Sequence, residues 1–462
     1  MSRPIITSVK ESPPGNAAQS TRFGRSRLNH RTTPDLPSSA DIVIIGSGLT
    51  GTLAARHCKQ AWPGKSVVIL EAREFCSGAT GRNAGHCKPD QWRGFSAYEK
   101  KFGAEQALKI LDNEQQTWLA LVEYVQQNNV DCDFWVGDTL DVPTTADVAA
   151  IAKKNFERFQ AAGGKVDHIK HVWISHIKDA QACYAWPAST LYPWKLTAHI
   201  MRDNLQKGVN LQTRTKVTHV VGSPKSPGKW IVKSDRGDIE CSQVIHATNA
   251  YSSALEPSLR GLIYPQPHMC NRIVPPVAFE GSEGLTNSYG VLLPNGGLFS
   301  INPRSTTEGS VLFGGSNPGQ PELEKWLEAH PERGIDDSLQ EFKPVTEAVQ
   351  TFAESQITGW KAKFSYDSWS GIIARSADGV PWVGELPGMP GQWLCAGHNG
   401  HGMARIFTAA PGLVKLMGGS SWAETQLPEV YQITAARVQR LKQILETCEL
   451  QSQILRSNDG LG

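Results

Sequence analysis

An α/β fold that opens on a parallel β-α-β unit is predicted by three features of the sequence. Residues 41–45 form a short apolar run ended by Gly46, which has the pattern of a buried strand. Residues 49–60 read as a helix and residues 66–72 as a second strand, so the whole unit fits within about 30 residues. The turn between the first strand and the helix is Gly46-Ser47-Gly48-Leu49-Thr50-Gly51, a G-x-G-x-x-G. Glu71 ends the second strand, at the spacing where an acid reaches the ribose hydroxyls of a dinucleotide. Each glycine has a physical task. Gly46 allows the tight turn, Gly48 lets backbone amides approach a pyrophosphate at the positive end of the helix, and Gly51 lets helix and strand pack closely. An acid at 71, with no basic residue in its place, favours a free ribose over a 2′-phosphate.

The following elements are read in order. Residues 104–129 carry Leu108, Leu111, Trp118, Leu119, Val122 and Val125 at helical spacing. Residues 145–162 form a helix ended by Gly163-Gly164, and residues 195–207 a helix ended by Gly208. Strands are expected at 210–221, 229–234 and 239–247. Residues 257–356 read as loops and strands, with 298–301 and 311–314 as clear short strands. A last apolar strand at 392–396 precedes a glycine-rich turn and a helix, and residues 435–450 form a polar helical tail.

Composition narrows the function classes. The 462 residues hold 46 Lys+Arg against 44 Asp+Glu, a balance that argues against a nucleic-acid or acidic-membrane coat. The longest apolar runs are far below the roughly 20 residues of a membrane span. Nine scattered cysteines, none at C-x-x-C spacing, point to reduced thiols, with neither a disulfide framework nor a metal site. Residues 1–38 are a basic, Pro/Ser-rich arm with six basic residues against two acidic ones. No apolar signal segment is seen, so cytoplasm is expected. A mitochondrial transit peptide is the alternative for the arm, although its prolines break an amphipathic helix.

Two further motifs distinguish a flavin dinucleotide from a nicotinamide one. Gly78-Ala79-Thr80-Gly81-Arg82-Asn83-Ala84-Gly85-His86 is a small-residue loop able to wrap a phosphate or a flavin ring. Gly397-His398-Asn399-Gly400-His401-Gly402-Met403 lies on a strand-to-helix turn whose amides can stabilise charge on a reduced flavin. Between them, residues 244–250 end a buried strand with small residues, Thr248 and Asn249 among them.

With these motifs in order over residues 39–420, the chain resembles the D-amino-acid-oxidase family of FAD-dependent amine and amino-acid oxidoreductases. It most resembles fungal members whose loop reads G-A-T-G-R-N-x-G-H. Residues 187–208 with the strand after them, Trp369-Ser370-Gly371 and Asp378-Gly379-Val380-Pro381 complete the likeness. The resemblance implies a discontinuous Rossmann-like FAD-binding domain (39–133, 176–252 and 359–430). A smaller antiparallel-sheet substrate domain (134–175 and 253–358) covers the flavin, and 431–462 is the tail. It assigns cofactor contacts to Gly46, Gly48, Leu49, Thr50, Gly51, Glu71, Ala72, Arg73, Thr80, Gly81, Arg82, Asn83, Gly85 and His86. It assigns others to Val217, Thr248, Asn249, Gly397, His398, Gly400, His401, Gly402 and Met403.

The implied chemistry is hydride transfer from a C–H beside an amine nitrogen to FAD, giving an imine that water hydrolyses. The partners are a small amine or amino acid and oxygen or another electron acceptor, with no nucleic acid and no membrane span. The flavin carries the redox step, so no side-chain base is obligatory. The candidate catalytic residues are His86, His268, Tyr366 and Trp369. Trp382 is a further aromatic wall, Arg272 and Arg304 are carboxylate clamps, and Cys87 is a thiol beside the loop. Arg82 stands where some dehydrogenases place a histidine that bonds FAD covalently. The stretch 285–293 lacks the lysine that sarcosine-type oxidases place near the flavin, which leaves oxidase against dehydrogenase open. A flavin monooxygenase, and a flavin-binding protein without amine turnover, are the alternative readings.

Overall fold

The computed structural model describes residues 27–459, apart from 175, 277–278, 280–284, 308 and 361–365. Two sheets organise the chain. The first has eight strands, six of them in the order Trp382–Glu385, Gln392–Ala396, Gly237–His246, Ser39–Ile45, Val67–Leu70 and Asn210–Gln212. All adjacent pairs in that row are parallel except the Trp382–Glu385 edge. Trp230–Ser234 and Val217–Gly222 extend it antiparallel from the long strand Gly237–His246. The apolar run at 42–45 marks the centre of this sheet: Val43 lies between Val68 and Val244, and Ile44 between Ile69 and Ile245, all fully or almost fully buried. Helices cover both faces of such a sheet, so its central strands carry no polar alternation.

The second sheet has nine strands. The row is Tyr366–Ser376, Ile263–Ile273, Val311–Gly314, Leu298–Pro303, Ser288–Leu292, Trp135–Pro143, Tyr184–Thr190 and His86–Cys87, with Lys170–His171 added beside Tyr184–Thr190. It is antiparallel throughout, apart from the pairing of Ser288–Leu292 with Trp135–Pro143. Ile263–Ile273 pairs with Tyr366–Ser376 over eleven residues without a break in register. Among the described residues no helix is long and apolar enough to cross a membrane.

Several expectations are corrected. The strand expected at 210–221 is two, Asn210–Gln212 and Val217–Gly222, separated by Arg214 at φ 49°. The region 257–356 holds two helices, Gln320–Ala329 and Lys343–Gln356, each started by a proline in its first turn. Tyr184–Thr190 and Tyr366–Ser376 were assigned with the nucleotide-binding segments, yet both are strands of the second sheet. Local sequence marks a buried strand but not its neighbour, and only pairing decides which sheet takes it. The C-terminal helix Ala435–Asp459 runs longer than expected. It is anchored by Arg437, which grips Asp378 at 2.9 and 3.1 Å and lies 4.3 Å from the centre of the Trp382 ring. Residues 1–26 of the basic arm lie outside the described residues. The part that follows lies on the first sheet, where Arg31 donates to the Thr213 carbonyl at 3.1 Å.

The tightest junction is between the first strand and its helix, Leu49–Ala61. A Cβ on Gly51 would sit 2.0 Å from the Gly46 carbonyl oxygen, a backbone atom that cannot rotate away. Gly51→Ala is therefore expected to cost about 1–3 kcal/mol in urea unfolding, the usual range for overpacking, and to lower FAD uptake by the refolded chain.

Candidate functional site

One cavity of about 870 Å³ lies between the two sheets, and both contribute to its walls. The floor is the β-α-β turn. Gly46 has φ 107° and a Cβ there would meet the Ala247 carbonyl oxygen at 2.7 Å, so only glycine can hold this turn beside the neighbouring strand end. Glu71 closes the turn from the second strand. Its Oε2 accepts from the Ser47 amide (3.0 Å) and the Ser47 hydroxyl (2.7 Å), and its Oε1 from the Arg73 amide (3.0 Å). The wrapping loop stands opposite, where Thr80 Oγ1 accepts from the Leu49 amide at 3.1 Å at the start of the helix. A bare backbone cradle, a helix N-terminus and an acid at the strand end together fit a dinucleotide.

Most of the predicted contacts are brought together here. Gly46, Gly48, Leu49, Thr50, Glu71, Ala72 and Arg73 line the cavity, as do Thr80, Arg82, Asn83, Val217, Thr248 and Asn249. His398, Gly400, His401, Gly402 and Met403 line it from the last turn. Gly51, Gly81, Gly85 and Gly397 do not line it; the first three stand where backbone passes close to backbone, and Gly397 at φ 74° faces the side chains of Ser376, Ile263 and Trp382.

The two candidate histidines differ. His86 is held by two serines: Nε2 is 2.7 Å from Ser288 Oγ and Nδ1 is 3.1 Å from Ser300 Oγ. Ser288 spends its proton on Thr139 Oγ1 (2.9 Å), whose own proton goes to the Ser288 carbonyl (3.3 Å). This assigns the Nε2–H tautomer to His86, with Ser300 donating to Nδ1. Burial, with Lys88, Arg93 and His401 nearby, pushes its pKa down to about 3. His268 also lines the cavity, but neither ring nitrogen has a protein partner among the described residues. Burial, and then Arg375, lowers it to about 4, so it stands neutral with both nitrogens available.

Other candidates take structural parts. Trp369 does not line the cavity, and its indole N–H donates to the Arg82 carbonyl at 2.8 Å, which fixes the wrapping loop. The Tyr366 side chain lies outside the described residues. Trp382 is fully buried in the core beneath Arg437. Arg304 is taken by Asp133 (3.0 Å) and the Leu191 carbonyl (2.9 Å), and Arg272 by Asp367 (3.4 Å). Cys87 is buried, donates to the Met403 carbonyl at 3.3 Å, and burial pushes its thiol up, away from reactivity.

The sequence reading missed the cationic end of the cavity. Lys88, Trp92 and Arg93 line it immediately beyond His86. Lys88 and Arg93 share the fully buried Asp141, Arg93 reaching it through Nη1 alone (3.2 and 3.4 Å). The stretch 285–293 has no lysine of its own, yet Lys88 Nζ stands 2.8 Å from where a Cβ of Gly290 would be. A pair of cations five residues apart was the available signal, hidden because any surface loop could carry it. Val148, Ile151 and Ala152 of the helix Ala146–Ala161 form an apolar wall of the same cavity.

Beneath the last turn lies a buried ion pair. Arg405 and Glu114 are both fully buried, with Nε–Oε1 at 2.9 Å and Nη2–Oε1 at 2.8 Å. Glu114 Oε2 also accepts from the Asp90 amide (2.8 Å) and faces His401 Nδ1 (3.4 Å). Arg405 donates to the His398 carbonyl (3.0 Å) and to the Tyr98 hydroxyl (2.8 Å). Burial opposes the charge on Glu114, but His401 and Arg405 outweigh it and hold its pKa at about 2. Two buried polar atoms at the cavity, His398 Nδ1 and Trp92 Nε1, lack a protein partner among the described residues. Such atoms in a lining position suit a polar ligand.

Two outcomes follow. Glu114→Gln leaves Arg405 buried without its counter-charge and is expected to cost about 3–5 kcal/mol in denaturant unfolding. His86, His268 and His398 have folded pKa values of about 3, 4 and 3, well below the value of about 6.5 in the unfolded chain. The unfolded chain binds more protons in that window, so stability is complete above about pH 6.5 and falls as the pH drops toward 4. Unfolding measured from pH 7.5 to 4.5 should lose up to about 1.4 kcal/mol per pH unit for each such histidine, and His398→Asn should make the slope shallower.

Known proteins give the same picture. The chain is 24% identical over 390 residues to the probable oxidoreductase OrdL of Rhizobium meliloti, covering 80% of this chain and 81% of that protein. It is 22% identical over 414 residues to the gamma-glutamylputrescine oxidoreductase of Escherichia coli, covering 83% and 84%. The crystal structure of glycine oxidase from Geobacillus kaustophilus superposes with a TM-score of 0.64 at 18% identity, covering 86% of this chain and 99% of that one. A family model described as FAD dependent oxidoreductase matches residues 41–417. With the cradle, the acid at 71 and the wrapping loop in one cavity, the chain belongs to this FAD-dependent oxidoreductase family and takes FAD as its cofactor.

Proposed function

We propose that this enzyme oxidises the C–N bond of a small amine or amino acid that carries a carboxylate. The carrying observation is the cationic end of the cavity. Arg93 uses only Nη1 on Asp141, which leaves Nε and Nη2 for a second anion, and Lys88 lines the wall beside it. A guanidinium edge and an ammonium together suit a carboxylate. The relatives support an amine: one of them is a gamma-glutamylputrescine oxidoreductase, another a glycine oxidase.

Bound FAD supplies the hydride acceptor. The chain's own residues bind and orient. Arg93 and Lys88 fix the carboxylate end, which directs the amine-bearing carbon away from them into the cavity. The neutral His268 offers a hydrogen-bond acceptor that orients the N–H of an amine bound as its free base. His86, committed to two serines, orients the wrapping loop and is a positioning residue in this reading. The apolar wall at Val148, Ile151 and Ala152 meets the rest of the substrate. Oxygen or another acceptor reoxidises the cofactor.

The test is anaerobic titration of the FAD-loaded protein with primary amines, N-methyl amines and amino acids, each compared with and without its carboxylate. Carboxylate-bearing members of one amine class should bleach the flavin band, and readmitted air should restore it quickly for an oxidase and slowly for a dehydrogenase. Arg93→Met should weaken binding of the carboxylate compounds about 10- to 100-fold, the worth of a charged hydrogen bond, and leave their carboxylate-free analogues nearly unchanged. A flavin that no amine bleaches would overturn the reading.

A further inference from the structure

A strap fastened to the second sheet reaches across to the FAD cradle. It runs from Ile335 to Gln340, following the short helical turn Pro331–Ile335. Its far end is fastened to the second sheet, where the Ser370 amide donates to the Leu339 carbonyl (2.8 Å) and the Ser368 hydroxyl to the Gln340 carbonyl. Its near end is fastened by the Tyr251 hydroxyl, which donates to the Ile335 carbonyl at 3.2 Å. Between these ties Asp337, only 2% exposed, lines the cavity.

Asp337 meets two cations of the cradle. Arg73 grips it with both terminal nitrogens, Nη1–Oδ1 at 2.8 Å and Nη2–Oδ2 at 2.9 Å. Arg82 Nε lies 3.0 Å from Oδ2, and Arg82 Nη1 donates to the Asp337 carbonyl at 2.8 Å and to the Ser370 carbonyl at 3.0 Å. Arg73 follows the ribose-reading Glu71 by two residues, and Arg82 follows Thr80, which faces the helix N-terminus. Both arginines line the dinucleotide cavity. Two guanidiniums held this close repel each other, and one buried carboxylate with fork geometry joins them. The strap therefore closes the cradle at Asp337, through its carboxylate and its backbone carbonyl, and is tied at both ends to the rest of the fold.

We propose that Asp337 is the latch that retains FAD: its contacts with Arg73 and Arg82 hold the 335–340 strap over the cradle, and the cofactor leaves only when they break. Asp337 is a positioning residue, acting through the two arginines. The proposal rests on the FAD site alone and involves no substrate, so its outcome is independent of the amine reading.

The experiment follows release of FAD from purified holoenzyme, diluted into an excess of a scavenging apoflavoprotein, by the change in flavin fluorescence. Asp337→Asn should release FAD at least tenfold faster than wild type, and Asp337→Glu should bring the rate back to within about threefold of wild type. Tyr251→Phe, which loosens only the near end, should speed release by a smaller factor. A folded Asp337→Asn protein that releases FAD at the wild-type rate, or more slowly, overturns the proposal. Should that variant yield no folded holoenzyme, Tyr251→Phe decides: faster release supports the latch and an unchanged rate overturns it.

Discussion

Glu114 and Arg405 have given up all contact with water, and the segments through Asp90 and through His398 and His401 are fastened to them. An ion pair removed from solvent loses several kcal/mol of hydration per charge, which the pair recovers only if every remaining lone pair and proton finds a partner. That requirement draws four segments together. The long helix Ala104–Gln127 supplies Glu114, and the helix Ile406–Met417 begins just after Arg405. The chain beyond His86 is held through the Asp90 amide, and the last turn through His401 and the His398 carbonyl. The segment carrying Lys88 and Arg93 and the turn carrying His398 and His401 thus share one buried anchor. They are far apart in sequence, and the Cys87 thiol adds a second tie between them through the Met403 carbonyl.

The cavity divides its work between its walls. The cradle side offers backbone and small residues, because a dinucleotide needs close approach more than side-chain chemistry. The Cβ that Gly46 lacks would strike the Ala247 carbonyl oxygen of the neighbouring strand end at 2.7 Å, so the turn can lie this close only as glycine. The sheet on the other side offers functional groups at alternating positions, since every second residue of a strand faces the same way. Gln266, His268 and Cys270 show this on Ile263–Ile273, as do Leu298 and Ser300 on Leu298–Pro303. Whether a histidine is available for chemistry depends on what faces it. His86 and His268 are both kept neutral by burial, yet the first is consumed by two serines and the second has no protein partner among the described residues.

The second sheet and the 335–340 strap fastened to it also reach the first sheet's loops. Through Asp337 the strap reaches Arg73 and Arg82, and through Trp369 the sheet holds the Arg82 carbonyl. Glycine-rich loops are intrinsically loose, because glycine loses more conformational freedom on folding than other residues. Here the loop 78–86 is tied from within by Asn83, which bonds the Ala79 and Thr80 carbonyls and the Gly85 amide, and from outside by Trp369, Ser370 and Asp337. The residues that shape the loop and those that hold it from outside therefore belong to different parts of the chain, nearly 300 positions apart.

The dinucleotide cradle was legible in the sequence because it is local. A strand, three glycines, a helix start and an acid lie within residues 41–71, and each has a backbone reason to be what it is. The wrapping loop and the last turn were legible for the same reason, being glycine-rich and set at strand or helix ends. What tertiary structure alone decided is everything that depends on a distant partner. It moved Tyr184–Thr190 and Tyr366–Ser376 into the second sheet and revealed the helices Gln320–Ala329 and Lys343–Gln356 within a stretch read as strands and loops. It drew Arg272 and Arg304 into ion pairs of their own and brought Lys88 and Arg93 to the cavity instead. It set Asp337 on two arginines that precede it by more than 250 residues. A charged residue has the same identity on a surface or in a site. Its role comes from what burial removes and which counter-charge burial supplies, and both are properties of the packed chain.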